Sequence, residues 1–505
     1  MRPTYTDLKL TWAIVLGLSA ISPAEAQSQV RHAEGRPIEQ LSSIDRTRIE
    51  RMLDEALTEA VAHLPLIEGQ TGFDIRTRLV PERRIVIIEL GTRAIPTHTG
   101  SELEDQQHRI YHVADELLRD VIDVNGAEFR YGGKDILRIL PDPAAPARPR
   151  SRERTQTATA PKVALAGGHG LYFNYQYNDW RAQRDPSNNM TEDFVTPYFA
   201  RDLATQLTSR GATVYKARTN ETPIHVPSGQ QWWRVAARYY LESILPAERG
   251  IWNSLPSATH SLREYDEDIR SRPLYANHVG ADYAIHLHTD AASPHVRGTR
   301  GYYHTGRSTD AELVSSILCR MKQTIQSTSG YETWSIANDP IPMNNKGENR
   351  LAAMPSAIIE LGFHTNAADA QALQSSTFRN AAVRGIERGI SDHHADAPCS
   401  DFLITHIPAF SAPVGTPMDM LVHFEDAPRF PVTLRTRVVT CPQPWTCGPT
   451  ALTYNAQQDS PIKRTFKCTG TPAQTGHFTY VAWLTDASGI KTPELEYSYS
   501  CTVGS

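Results

Sequence analysis

The stretch PKVALAGGHG, residues 161–170, runs an apolar segment, Val163 to Ala166, directly into two glycines and a histidine. An apolar run of that kind reads as a buried strand, and the glycines behind it as a tight turn. Glycine bends the backbone where other residues resist, so His169 is expected to stand out at the strand's C-terminal end. Open α/β sheets place their ligands at that end. Any chemistry at His169 then needs partners from elsewhere in the chain.

From residue 162 to about 395, strand-like and helix-like segments alternate. Glu192 opens a helix to about Arg210 with Gly211 as its C′ residue, and residues 213–216 read as a strand. Residues 275–279 read as helical, 282–288 as a strand, 309–327 as a helix, 356–361 as a short apolar strand and 378–391 as a closing helix. This alternation implies an α/β fold, a mostly parallel sheet with helices on both faces.

Three of these apolar strands end in polar groups: His169 after VALAGG, His286 and His288 in YAIHLHT, and Glu360 in AIIELGF. Right-handed crossovers bring the ends of parallel strands to one edge, so these side chains are expected to converge, with Glu192 joining them from its helix. Two histidines and a glutamate make a three-ligand set with a fourth position for water, which is what catalytic zinc requires. Glu360 is then the spare carboxylate, able to take a proton from that water.

On these residues, the stretch 162–392 resembles the zinc-dependent N-acetylmuramoyl-L-alanine amidase family, whose catalytic domain is called amidase_3. The family reads strand-D-P-G-H-G, a Glu opening a helix, G-x-x-V-x-x-T-R, R-x-x-x-A-N, A-D-x-x-x-S-I-H-x-N and P-x-x-x-x-E-x-G-F-x-x-N. Here the pieces occur in that order as AGGHG, Glu192, GATVYKAR, RPLYAN, ADYAIHLHTD and PSAIIELGFHTN. The resemblance implies that His169, Glu192 and His288 are zinc ligands and Glu360 the catalytic carboxylate. It implies hydrolysis of the amide joining the lactyl group of N-acetylmuramic acid to L-alanine in peptidoglycan. It covers under half of the chain.

There are departures from the pattern. Gly167 and Gly168 replace the usual Asp-Pro-Gly lead, His286 stands where a Ser is expected, and Asp290 where an Asn is expected. Residues two apart on a strand face the same side, so His286 competes with His288. His288, nearer the strand end, is the expected ligand, and His286 the hydrogen-bonded neighbour that orients it. Asp193 beside Glu192 is a weaker rival for the ligand role and reads as solvated. Arg350 reads as a lone surface arginine, with a substrate carboxylate as the sharper alternative. His225, His260, His364, His393 and His394 read as surface residues. Residues 226–264 form an insert with Trp232, Trp233, Tyr239 and Tyr240 in QQWWRVAARYYLESIL. Such aromatics are helix core by default, and a subsite wall or lid otherwise.

The flanks differ in character. Residues 36–140 read as a small α+β domain, α-β-β-α-β, in which no cluster demands chemistry. Residues 141–161, PDPAAPARPRSRERTQTATAP, read as a disordered linker. Its Arg148, Arg150, Arg152 and Arg154 could touch an anionic polymer, though solubility explains them too. Short alternating strands between turn residues over 399–505 suggest an immunoglobulin-like β-sandwich with Trp483 in its core, open to a protein or wall partner. Cysteine connectivity does not follow from spacing alone. The expected pairs are Cys441 with Cys447, Cys468 with Cys501, and Cys319 with Cys399. A structural zinc site at the last four cysteines is disfavoured by the absence of C-x-x-C and by an oxidising compartment.

That compartment is read from the N-terminus, where Arg2 and Lys9 precede an apolar run to Ile21 and then Ala24-Glu25-Ala26. This pattern reads as a signal peptide, residues 1–26, and the run is too short to span a bilayer. The mature protein is therefore expected in the periplasm or outside the cell. A net charge of −5 over 505 residues recommends no nucleic-acid partner. Two other classes compete: a zinc exopeptidase acting on peptides, and a non-catalytic cell-wall-binding protein. Retention of every candidate ligand argues against the second, and turnover of muropeptides against free peptides separates the first.

Overall fold

The structure, a computed structural model, describes residues 36–119, 121–146, 160–469 and 474–503. The expected signal peptide and most of the expected linker, including Arg148, Arg150, Arg152 and Arg154, lie outside the described residues.

The first unit contains α1 (Ser43–Ala62), β1 (Arg76–Val80), β2 (Ile85–Glu89), α2 (Ser101–Leu118) and β3 (Gly126–Arg130). The Ser42 hydroxyl caps α1 by accepting from the Asp45 N–H, and Ile49, Leu53, Leu57 and Val61 bury one stripe of it. β2 is central, antiparallel to β1 and parallel to β3.

The second unit contains β4 (Lys162–Gly167), α3 (Glu192–Ser209), β5 (Thr213–Lys216), α4 (Arg263–His278), β6 (Tyr283–Asp290) and β7 (Arg300–His304). It continues through α5 (Ser308–Gln326), β8 (Ile341–Met343), α6 (Gly347–Leu351), β9 (Ser356–Phe363) and α7 (Ser376–His394). The sheet order is β8-β7-β9-β6-β4-β5. β5, β4, β6 and β9 are mutually parallel, while β7 runs antiparallel to β9 and carries β8 parallel to itself. The sheet is thus mixed, four parallel strands extended by an opposed pair at one edge. β7 and β8 escaped the sequence reading because RGYYH and IPM are only five and three residues long, and Pro342 sits inside the second.

Alternation divides the two faces of this sheet. Val163, Leu165, Ile285, Leu287, Ile359 and Leu361 pack with α3, α5 and α7. On the other face Ala164 and Ala284 meet Ala276 of α4, whereas Ile358 and Tyr302 join the core of the first unit beside Ile88 and Phe129. The second covering layer therefore has two parts, α4 over one half of the sheet and the first unit over the other. His286, His288 and Glu360 alternate onto this doubly covered face, and β6 and β9 are buried along their whole length.

Residues 141–146 are described and are not free linker. Asp142 is buried between Arg270 of α4 and Arg350 of α6, within 2.5 and 2.7 Å, because those two buried guanidinium groups need a carboxylate. In the insert, Trp232–Arg234 is a 3-10 turn and Ala237–Ile244 a separate helix, so only Tyr239 and Tyr240 of the four aromatics are helical.

The third unit closes one core between a three-stranded and a five-stranded sheet. Strands Phe410–Pro413 and Thr450–Tyr454 were not anticipated. Trp483 is not in the core: Phe478, Tyr480, Ala482 and Leu484 point inward along Gly476–Thr485, which turns Trp483 to the outer face, with the Lys491 ammonium 4.8 Å from its ring centre. The disulfides are Cys319–Cys399, Cys441–Cys447 and Cys468–Cys501, the first tying α5 to the chain entering this unit. Arg320 of α5 bridges Asp392 of α7 and Asp426 across the same junction.

Candidate metal centre

β4 runs out at Gly167, and the turn behind it holds His169 at φ +63°. A non-glycine residue pays about 1–3 kcal/mol for such a conformation unless its surroundings impose it. Asp193 imposes it: its carboxylate accepts from the backbone N–H groups of Gly170, Gln183 and Arg184 at 2.9, 2.7 and 3.1 Å. Asp193 is thus fully buried rather than solvated, since three N–H groups replace its water. Gly168 is needed for space, because a β-carbon there would lie 2.2 Å from Cε1 of His288.

Glu192 is the first residue of α3, and His288 sits near the end of β6. His288 Nδ1 lies 2.9 Å from Glu192 Oε1 and 3.2 Å from His169 Nε2, and His169 Nε2 lies 3.4 Å from Glu192 Oε1. These three buried atoms can all reach one cation. The outward nitrogens are held as well: His169 Nδ1 by Gln183 Oε1 at 2.8 Å, and His288 Nε2 by Glu348 Oε2 at 2.9 Å. A partner on the far nitrogen fixes which ring atom faces the cluster. His286 is not in the triad; its Nδ1 lies 3.2 Å from Glu348 Oε1.

Glu348 was missed in the sequence. It rides on α6, which Asn277 of the RPLYAN segment grips by donating to the Leu351 carbonyl and accepting from the Ala353 N–H. Arg272 of the same segment pairs with the Glu348 carboxylate. Nothing in NNKGENR distinguishes this glutamate locally; only the packing of α6 on α4 makes it a partner of His288.

Glu360 lies in register with His288 on the neighbouring strand, and its Oε2 is buried without a hydrogen-bond partner. Burial, reinforced by the carboxylates of Asp290 and Glu192, pushes Glu360 well above the usual carboxylate range. Burial opposes charge on Glu192 too, but the imidazoles of His169 and His288 outweigh it and hold that carboxyl low. For His288 burial is again overcome, here by Glu348 and Glu192, and its pKa is pushed up to about 10. Two imidazoles and a carboxylate converging, with an orphaned carboxylate oxygen alongside, are the donor set that suits zinc.

The first unit, expected to carry no chemistry, closes over this set. Arg184 Nε donates to His169 Nε2 at 3.2 Å, and its Nη1 donates to both Asp105 oxygens of α2 at 2.9 and 3.1 Å. Glu104 of α2 accepts from the Gly347 N–H, while His108 and His112 reach Asp290. The remaining surface readings also change. Arg350 is buried on Asp142, His225 and His364 are buried, and His364 Nδ1 lies 2.9 Å from the Thr289 hydroxyl. His260 stacks on His98, and His393 and His394 lie against the Tyr283 ring.

Residues 163–392 match the family model Amidase_3, N-acetylmuramoyl-L-alanine amidase. They belong to that family. The activity of this amidase is therefore hydrolysis of the amide between N-acetylmuramic acid and L-alanine in peptidoglycan. Similar solved structures include the CwlD amidase from Clostridioides difficile in complex with the GerS lipoprotein, at 16% identity over 46% of this chain and 98% of that one, TM-score 0.32. Ami1 from Mycobacterium smegmatis aligns at 15% identity over 47% of this chain and 98% of its own, TM-score 0.33. No curated protein matches the sequence. A cell-wall family and three disulfides together make the amidase an extracytoplasmic protein. Among the described residues no helix is long and apolar enough to cross a membrane.

Proposed function

We propose that the amidase works with one zinc ion held by His169 Nε2, Glu192 Oε1 and His288 Nδ1, and with Glu360 as its catalytic carboxylate. The supporting observation is the convergence of those three atoms within 3.4 Å of one another, two of them oriented by Gln183 and Glu348. Zinc at such a site supplies Lewis-acid polarisation of the scissile carbonyl and an activated water at neutral pH. Glu360 takes the proton of the attacking water and returns it to the leaving amine of L-alanine. Glu348, with His286 beside it, keeps His288 turned toward the ligands.

The catalytic domain of this reading spans 162–395, with the insert 226–264 bordering the site. The flanking domains are 36–140 and an immunoglobulin-like sandwich over 399–505, and the first 26 residues are a signal that sends the enzyme to the periplasm or beyond. Glu360→Gln tests the chemistry. Zinc content is expected to stay at the wild-type level while release of stem peptides from sacculi, followed by mass spectrometry, falls about 10²–10⁴-fold. A Gln variant with near-normal turnover refutes the role.

A further inference from the structure

A second ligand cluster lies beside the first, across the seam between the first unit and the sheet. His108 and His112 are one turn apart on α2, so both project from the same face of that helix. Their Nε2 atoms are 3.0 Å apart, and Asp290 Oδ1 lies 2.7 Å from one and 3.1 Å from the other. These separations match those of the His169, Glu192, His288 set, which run from 2.9 to 3.4 Å. Asp290 itself is fully buried, and among the described residues its side-chain partners are the two imidazoles, the Ala291 N–H and the Tyr302 hydroxyl. A buried carboxylate without a cation is costly, and here a second one, Glu360, stands close by.

We infer that His108 Nε2, His112 Nε2 and Asp290 Oδ1 form a second metal site, for a divalent cation of the zinc class, that staples α2 of the first unit to β6. Two imidazoles and a carboxylate suit zinc, and the third-party hydrogen bond from Tyr302 to Asp290 Oδ2 orients the carboxylate as metal ligands require. Binding at Nε2 leaves the His108 proton on Nδ1, so Lys346, whose ammonium lies 3.3 Å from that atom, turns away on loading. Asp290 is also where the family pattern carries an uncharged asparagine, so this chain has a carboxylate where its own added histidines arrive.

The test is metal content per chain, by mass spectrometry of the full-length protein equilibrated with buffered zinc and freed of excess by gel filtration. Wild type is compared with Asp290→Asn, His108→Ala/His112→Ala and His169→Ala. Asp290→Asn keeps the volume and one acceptor oxygen for the Ala291 N–H, while its amide nitrogen can donate to the Tyr302 hydroxyl instead of accepting from it, so it is expected to fold, and circular dichroism checks that. Asp290→Asn and the double variant are each expected to hold one equivalent fewer than wild type, and His169→Ala, with this site intact, to retain one. The inference is overturned if Asp290→Asn binds as much zinc as wild type, or if His169→Ala binds none. Loss in Asp290→Asn with no loss in His169→Ala would instead sink the first site and leave this one standing.

Discussion

Gly168→Ala is the sharpest test of how the sheet edge holds its ligands. A β-carbon at 168 would sit 2.2, 2.4 and 2.7 Å from Cε1, Nδ1 and Nε2 of His288. Non-bonded carbons settle at about 3.5–4.0 Å, so the overlap exceeds about 1 Å. Either the turn or the imidazole must yield. The turn is pinned by the Gly168 N–H donating to the Leu287 carbonyl at 2.8 Å, and by the Thr196 hydroxyl and Arg218 donating to the Gly168 carbonyl at 2.9 and 3.1 Å. The ring therefore moves, at a strain of about 1–3 kcal/mol. Zinc ligation tolerates displacements of only about 0.2 Å, so a ring shifted by about 1 Å loses its bond. Losing about 3 kcal/mol of ligand interaction corresponds to roughly 100-fold weaker zinc binding, at about 1.4 kcal/mol per tenfold. The assay is competition with a chromophoric chelator, with Gly250→Ala as control because nothing lies within 4 Å of a β-carbon there. A Gly168→Ala protein that folds and binds zinc within threefold of wild type refutes the reasoning.

Glu348→Gln removes the charge that fixes His288, and is expected to weaken zinc binding about 10–100-fold in the same titration while leaving the fold intact. Burial raises Glu104 from 4.5 to about 7, so the folded state binds its proton more tightly than the unfolded chain. Its contribution is present below about 4.5 and lost as pH rises through about 7, up to roughly 3 kcal/mol in all. Glu104→Gln should therefore melt with a flatter pH dependence than wild type between pH 4.5 and 7; parallel curves would contradict this. Asp105→Ala cuts both bonds to Arg184 in a partly exposed pair worth about 1 kcal/mol, so muropeptide hydrolysis should rise by up to about fivefold, and an unchanged rate would mean that Arg184 does not obstruct the ligands.

The ligand set was legible because each member ends or begins an element with a strong local signature. β4 is an apolar run that leads through the glycines to His169, β6 carries His286 and His288 at alternate positions, β9 is an apolar run broken by Glu360, and α3 opens on its acidic first turn. Glu348 and Asp193 were not legible for the opposite reason: each looks like ordinary surface charge, and only loops folding back onto it remove the water. Trp483 misled because its place between Cys468 and Cys501 suggested core, while the period-2 order of Phe478, Tyr480, Ala482 and Leu484 had already assigned the inner face.

The first unit shows where local reading stops. The spacing of His108 and His112 in HRIYH puts two imidazoles on one helical face, and that much can be read from five residues. Their partner Asp290 lies 178 residues beyond His112. It is brought there because β7, β8 and β9 present Tyr302, Ile341 and Ile358 as an apolar surface that the first unit covers. Hydrophobic covering of one half of a sheet is thus what carries charged residues of one unit to the edge of another's metal centre. A sequence with the same histidines but polar residues at 302, 341 and 358 would keep the motif and lose the meeting.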